Sequence, residues 1–286
     1  MAVHAHPDDE ASSTGGILAR YSDEGVRTVV VTCTNGELGD APDGSKPGEA
    51  GHDGRLVAEH RRAELQASCQ ILGVSHLELL GYHDSGMAGW PQNEAPGSFW
   101  QTPVDEVAER LAALLMAHRP DVVVTYDPNG FYGHPDHIQA HRATVAACER
   151  TGIARKLYYP AIPRSAIARF AALWEEEQST AEQSTAEGGE GTGGAGEIPD
   201  LPSDFGTPDD EISAYVDCSA FVTAQFAALG AHASQPDNAV FLRVGVERFA
   251  AMFATQCFVR AFDTTGAGVP ESDLFAGLRD PAPAAG

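Results

Sequence analysis

Residues 2–33 read AVHAHPDDEASSTGGILARYSDEGVRTVVVTC, and their pattern decides the architecture. Ala2–Ala5 is a short apolar strand. Ser12 or Ser13 can cap a helix through Ile17, Leu18 and Tyr21, and Gly25 stands where that helix stops. Val26–Cys33 is rich in β-branched residues and predicts a second, buried strand. Strand, helix and strand in that order predict a right-handed crossover between parallel neighbours.

The alternation continues outward. Arg55–Leu72 has helical spacing and ends at Gly73, and His76–Leu80 reads as a third strand. Val104, Val107, Leu111, Leu114 and Leu115 form one apolar helical stripe before the strand Asp121–Tyr126. A helix over Asp136–Arg150 follows, with Pro135 at its first position. Lys156–Tyr159 is then a fifth strand, Pro163–Trp174 a helix, Ser213–Asp217 a strand, and Ser219–Ala233 and Val246–Phe262 helices. The expected fold is a doubly wound, Rossmann-like α/β domain with a mainly parallel sheet. Residues 1–174 form its core, 212–280 complete the same domain, and 281–286 are a frayed tail. Residues 175–211 are rich in Glu, Gly, Ser and Thr, repeat the string QSTAE, and predict a mobile insertion.

Composition narrows the function. The net charge of -23, from 41 acidic and 18 basic side chains, repels phosphate backbones and anionic lipid, so nucleic acid and membrane are not expected partners. Five widely spaced cysteines without a C-x-x-C pair predict neither a disulfide framework nor a thiolate metal site. No signal-like or membrane-spanning run occurs, and the expected location is the cytoplasm.

Two segments carry chemistry: His6-Pro7-Asp8-Asp9-Glu10 after the first strand and Gly133-His134-Pro135-Asp136-His137 after the fourth. With strand order 3-2-1-4 the carboxyl ends of those strands flank the crevice where such sheets bind ligands. His6, Asp9 and His137 supply the two imidazoles and one carboxylate of a catalytic zinc site with an open fourth position. Asp8 can take a proton from the metal's water, and Glu10 reads as a helix N-terminal acid. His134 can stabilise the tetrahedral intermediate or protonate the leaving amine, Asp136 can orient it, and Tyr132 can donate to the oxyanion. The plainer reading of these loops is a capped turn and an exposed helix start. It leaves the convergence of two His/Asp clusters unexplained.

AHPDDE, VVVT-x-x-x-GE-x-G and YDPNGFYGHPDH together resemble the LmbE-like, or GlcNAc-phosphatidylinositol de-N-acetylase, family over residues 1 to about 160. HDSGMAG (83–89), KLYY (156–159) and AHASQ (231–235) extend the likeness. Within the family the chain is most similar to the mycothiol-pathway enzymes, the deacetylase of N-acetylglucosaminyl-inositol and the mycothiol S-conjugate amidase. The resemblance implies hydrolysis of an N-acyl amide on a small amino-sugar or thiol-conjugate substrate, with zinc or ferrous iron as cofactor. By position it implies ligands His6, Asp9 and His137, base Asp8, and His134, Asp136 and Tyr132 in the roles above. It adds substrate contacts from Arg61 and Asp84. Ser13, where the amidase carries lysine, leans toward the deacetylase, while the insertion keeps a natural-product deacetylase open. Two other classes fit less well. An iron oxygenase normally spaces its ligands H-x-D/E on a β-barrel, and a binding module leaves Asp8 without a task.

Overall fold

The computed structural model describes residues 1–169, 205–235, 241–243 and 245–279. Its strands are β1 (Ala2–His4), β2 (Val29–Thr34), β3 (His76–Tyr82), β4 (Val122–Val124), β5 (Lys156–Ala161), β6 (Ala214–Asp217) and β7 (Thr255–Asp263). Among the described residues they form one sheet in the order β3-β2-β1-β4-β5-β7-β6, in which β7 alone runs against the rest. The expected doubly wound α/β fold is therefore present, with strand order reversing between β1 and β4. The longer helices among the described residues are α1 (Asp9–Asp23), α2 (Gly54–Ile71), α3 (Val104–His118), α4 (Pro135–Thr151), α5 (Val222–Gly230) and α6 (Gly245–Phe253).

The apolar run of β2 is buried throughout because helices cover both faces of the sheet. Val29 and Val31 point with Val3 and Val123 toward Val107, Leu111 and Leu115 of α3 and Ala140, Ala143 and Ala147 of α4. Val30 points the other way, with Ala2, toward Leu18 of α1, Leu65 of α2, Val222 and Leu229 of α5 and Phe249 of α6. Each buried Val, Leu or Phe among them contributes roughly 1.5–3 kcal/mol over its exposed state. All five cysteines are buried and unpaired. No helix among the described residues is long and apolar enough to cross a membrane.

Three departures from the sequence reading alter what an element is or where the site's segments begin. The helix expected over Val246–Phe262 ends at Phe253, and Thr255–Asp263 becomes β7, pairing antiparallel with both β5 and β6. Helix α1 begins at Asp9 rather than beyond Ser12, with Asp8 as its N-cap residue and the Asp8 carbonyl accepting the Ala11 and Ser12 amides. Residues 205–211, grouped with the insertion by composition, pack back on the domain: the Thr207 amide donates to the Ile162 carbonyl and the Ser165 amide to Asp209. Positions 170–204, most of the expected insertion, and 280–286, with the expected tail, lie outside the described residues.

The sheet is locked at its far side by a charged cluster. Lys156 in β5 is fully buried, and its Nζ donates to Glu271 Oε1 at 2.5 Å and the Ala276 carbonyl at 2.8 Å. Glu271 also accepts from the Tyr158 hydroxyl at 2.6 Å and from Arg260 at 3.1 Å. Its backbone lies along β6, accepting the Tyr215 amide and donating to the Ser213 carbonyl, each at 2.8 Å. Glu271→Ala leaves a buried ammonium without its counter-ion, which costs about 3–5 kcal/mol. Urea unfolding will show that loss, and the paired change Lys156→Met with Glu271→Leu will be milder.

Candidate active site

The carboxyl ends of β1 and β4 bring both His/Asp segments together. His6 Nδ1 lies 3.5 Å from Asp9 Oδ2, and His137 Nε2 lies 3.5 Å from Asp9 Oδ1. Asp9 therefore stands between the two imidazoles with one oxygen toward each. It is held there by the His6 amide at 2.8 Å and by the Tyr126 hydroxyl at 2.6 Å, both donating to Oδ2. Tyr126 lies two residues beyond β4, accepts the Ala5 amide at 2.8 Å and stacks on the His137 ring with centroids 4.1 Å apart.

Hydrogen bonds select the tautomers. His137 Nδ1 donates to the Gly130 carbonyl at 3.2 Å, so Nε2 carries the lone pair, and this buried atom has no hydrogen-bond partner. Only glycine fits at position 130, where φ is +62° and a Cβ would sit 2.8 Å from His137 Cβ and the Ile138 amide. His6 Nε2 faces Asp136 Oδ2 at 3.3 Å and Asp84 Oδ1 at 3.6 Å, which leaves Nδ1 for the Asp9 side. His134 caps α4 by accepting the Asp136 amide on Nδ1 at 3.1 Å, so its proton sits on Nε2.

The electrostatics follow from burial and these partners. Burial alone would depress His6, yet Asp84, Asp136 and Asp9 raise it well above the usual imidazole range. Burial pushes His137 down to about 4 and holds His134 far below its ordinary value, with His6 and His137 adding to the shift at His134. Despite its own burial, Asp9 is held well below the usual carboxylate range by His137 and His6. Two neutral imidazoles, one raised imidazole and an ionised carboxylate thus converge. Ring nitrogens of His6, His134 and His137 lie within 4.8 Å of one another, as do ligand atoms of His6, Asp84 and Asp136.

Several residues stand otherwise than expected. The Asp136 carboxylate does not orient His134: it accepts the Ser85 amide at 2.9 Å and faces His6, while its backbone amide serves His134. Arg61, expected on the substrate, is only 4% exposed and donates to the carbonyls of Gly36 and Pro7 and to Asp8 Oδ2 at 3.1 Å. Asp84 is likewise buried, bound to the Gly86 amide at 2.8 Å and turned toward His6. Tyr132 is 51% exposed, its ring 5.1 Å from His137, and follows Phe131, whose φ of +66° is a strained conformation for that side chain. Asp8 also has a positive φ, +115°. Burial pushes its carboxyl up to about 6, with Arg61 opposing and Asp9 assisting the shift. The sequence reading missed Tyr126, which it took only as the end of a strand.

The chain is similar to known proteins in sequence and in fold. The model described as PIG-L, GlcNAc-PI de-N-acetylase, matches residues 1–148. A 1D-myo-inositol 2-acetamido-2-deoxy-alpha-D-glucopyranoside deacetylase of Acidothermus cellulolyticus is 39% identical over 97% of this chain and 94% of its own. The protein of that name from Saccharomonospora viridis is 40% identical over 97% of this chain and 100% of its own. Among solved structures, the N,N'-diacetylchitobiose deacetylase of Pyrococcus horikoshii is similar in fold, with TM-score 0.54 and 22% identity over 91% of this chain and 82% of its own. So is GalB of Pseudomonas putida, a 4-carboxy-2-hydroxymuconate hydratase, with TM-score 0.57 and 18% identity over 94% of this chain and 98% of its own. One fold thus hosts unlike reactions, whereas the sequence match is specific: the chain belongs to the GlcNAc-PI de-N-acetylase (PIG-L) family.

Proposed function

We propose that the chain is a divalent-metal-dependent N-deacetylase that releases acetate from an acetamido sugar conjugate of the N-acetylglucosaminyl-inositol type. The substrate class is the one that the names of the similar proteins print. The observation that carries the metal reading is the partnerless, buried Nε2 of His137, aimed at a carboxylate whose other oxygen faces His6 Nδ1. A buried polar atom left bare costs about 1–3 kcal/mol, and a ligated cation removes that cost.

His6 through Nδ1, Asp9, and His137 through Nε2 would hold the ion, with zinc the first choice and ferrous iron the second. His134 suits the role less, because the cap bond leaves a proton on its outward nitrogen. When bound, the metal supplies Lewis acidity and lowers the pKa of water from about 15.7 to about 7.

Asp8 accepts the proton of the attacking water on its carboxylate and returns it to the departing amine. His134, neutral under these conditions, donates its Nε2–H to the carbonyl oxygen as charge develops there. Neutral imidazole is far too weak an acid to protonate the amine itself, so that proton comes from Asp8. Asp136 holds His6 by accepting its Nε2–H, and Asp136→Asn will weaken metal affinity about 10- to 100-fold in a chelator competition.

A fluorescamine assay of released amine tests the whole reading, run on N-acetylglucosaminyl-inositol, simple N-acetyl sugars and mycothiol conjugates, each with and without chelator. The expected result is amine from the first substrate, abolished by chelation and restored by added zinc or ferrous iron. Metal-loaded enzyme that frees no amine from any acetamido sugar overturns it.

A further inference from the structure

Behind the Asp8 peptide three fully buried side chains from distant parts of the chain meet. Glu10 Oε2 accepts the Asp8 amide at 3.0 Å, while Oε1 accepts from Ser68 Oγ at 2.5 Å and from His232 Nε2 at 2.7 Å. Ser68 belongs to α2, and His232 to the turn that follows α5. That turn is fastened at two further points. The Ser234 amide and hydroxyl donate to Glu64 at 2.8 and 2.7 Å, and Gln235 Nε2 donates to the Asp40 carbonyl at 3.2 Å. Burying a carboxylate is costly unless its oxygens are bonded, and Glu10 recovers that cost through donors from three segments.

The bond to Asp8 is unusual in what it stabilises. At φ +115° Asp8 sits in a backbone conformation that is strained for a side-chain-bearing residue and survives only where neighbours over-determine it. That backbone setting turns the Asp8 amide to Glu10, while Arg61 takes the Pro7 carbonyl and the Asp8 carboxylate. The peptide is gripped from both sides.

We infer that Glu10, Ser68 and His232 are a positioning unit that fixes the Asp8 backbone and thereby aims the proton-accepting carboxylate. The turn after α5 thus contributes to the chemistry without touching substrate or metal. The inference rests on the reading of Asp8 as the base. A merely structural polar cluster would lower stability and metal binding alike, whereas a positioning unit acts on turnover through Asp8 alone.

The test is a double-mutant cycle on the metal-loaded full chain, following amine release from N-acetylglucosaminyl-inositol together with metal content. His232→Ala should lower kcat about 10- to 100-fold, with KM within about twofold and metal content unchanged. His232→Gln, which keeps a donor for Glu10, should recover most of the rate. In an Asp8→Asn background His232→Ala should cause no further loss, because the residue it serves is already disabled. Should His232→Ala fail to fold, Ser68→Ala removes one donor to the same oxygen and carries the same comparison. Equal rate losses in both backgrounds, or a loss confined to KM or metal content, overturn the inference. Full turnover by Asp8→Asn overturns the assignment of the base and this inference with it.

Discussion

Asp8→Asn is expected to lower kcat about 10²- to 10⁴-fold while the chain keeps its metal, the range over which a positioned general base accelerates proton transfer. The amide is isosteric, tolerates a positive φ as well as aspartate does, and still accepts from Arg61, so the loss reports the missing proton acceptor. The pH profile gives an independent check. Asp8 works only when ionised, and burial raises its carboxyl to about 6. A bound cation can only lower that value. The wild-type chain should therefore lose kcat/KM about tenfold per pH unit below an apparent pKa of about 6 or less, and Asp8→Asn should lack this acid limb. An unchanged limb in the variant assigns it to another group.

His137→Ala should have a comparable effect on rate by a different route. It removes a buried, partnerless nitrogen that faces Asp9 and leaves Asp9 Oδ1 without its imidazole neighbour. With two of three protein ligands remaining, bound metal should fall from about one ion per chain toward zero, and activity with it. Elemental analysis after gel filtration measures the first, the fluorescamine assay the second. Fold stability should fall as well, since the change opens a cavity, leaves the Gly130 carbonyl without its donor and removes the ring stacked on Tyr126. Retention of both metal and activity would move the site to the nearby cluster of His6, Asp84 and Asp136.

The first half of the chain was legible because its strands and helices are separated by glycine, proline and charged turns. The end of the chain was not. From Phe249 to Phe262 the sequence is almost continuously apolar, and neither Gly nor Pro marks the change at Ala254 from a helical to an extended period. The proposed ligand set was readable because its two segments lie beyond the carboxyl ends of β1 and β4, strands that the topology makes neighbours. The contacts that aim them were not. Tyr126 reaches Asp9, and His232 reaches Glu10, only through tertiary folding. Arg61 and Asp84, expected on substrate from the resemblance, are buried, and their side chains turn to Asp8 and His6 instead.

The stretch around Glu271 matters for more than charge balance. By exchanging amide bonds with residues 213 and 215 it seals the outer margin of β6, so the cluster that neutralises Lys156 also hides a row of backbone donors and acceptors. Displacing that stretch would uncover a bare strand and an unmatched ammonium together. A chain shortened before it is thus predisposed to template aggregation through that margin, a harsher failure than simple loss of stability.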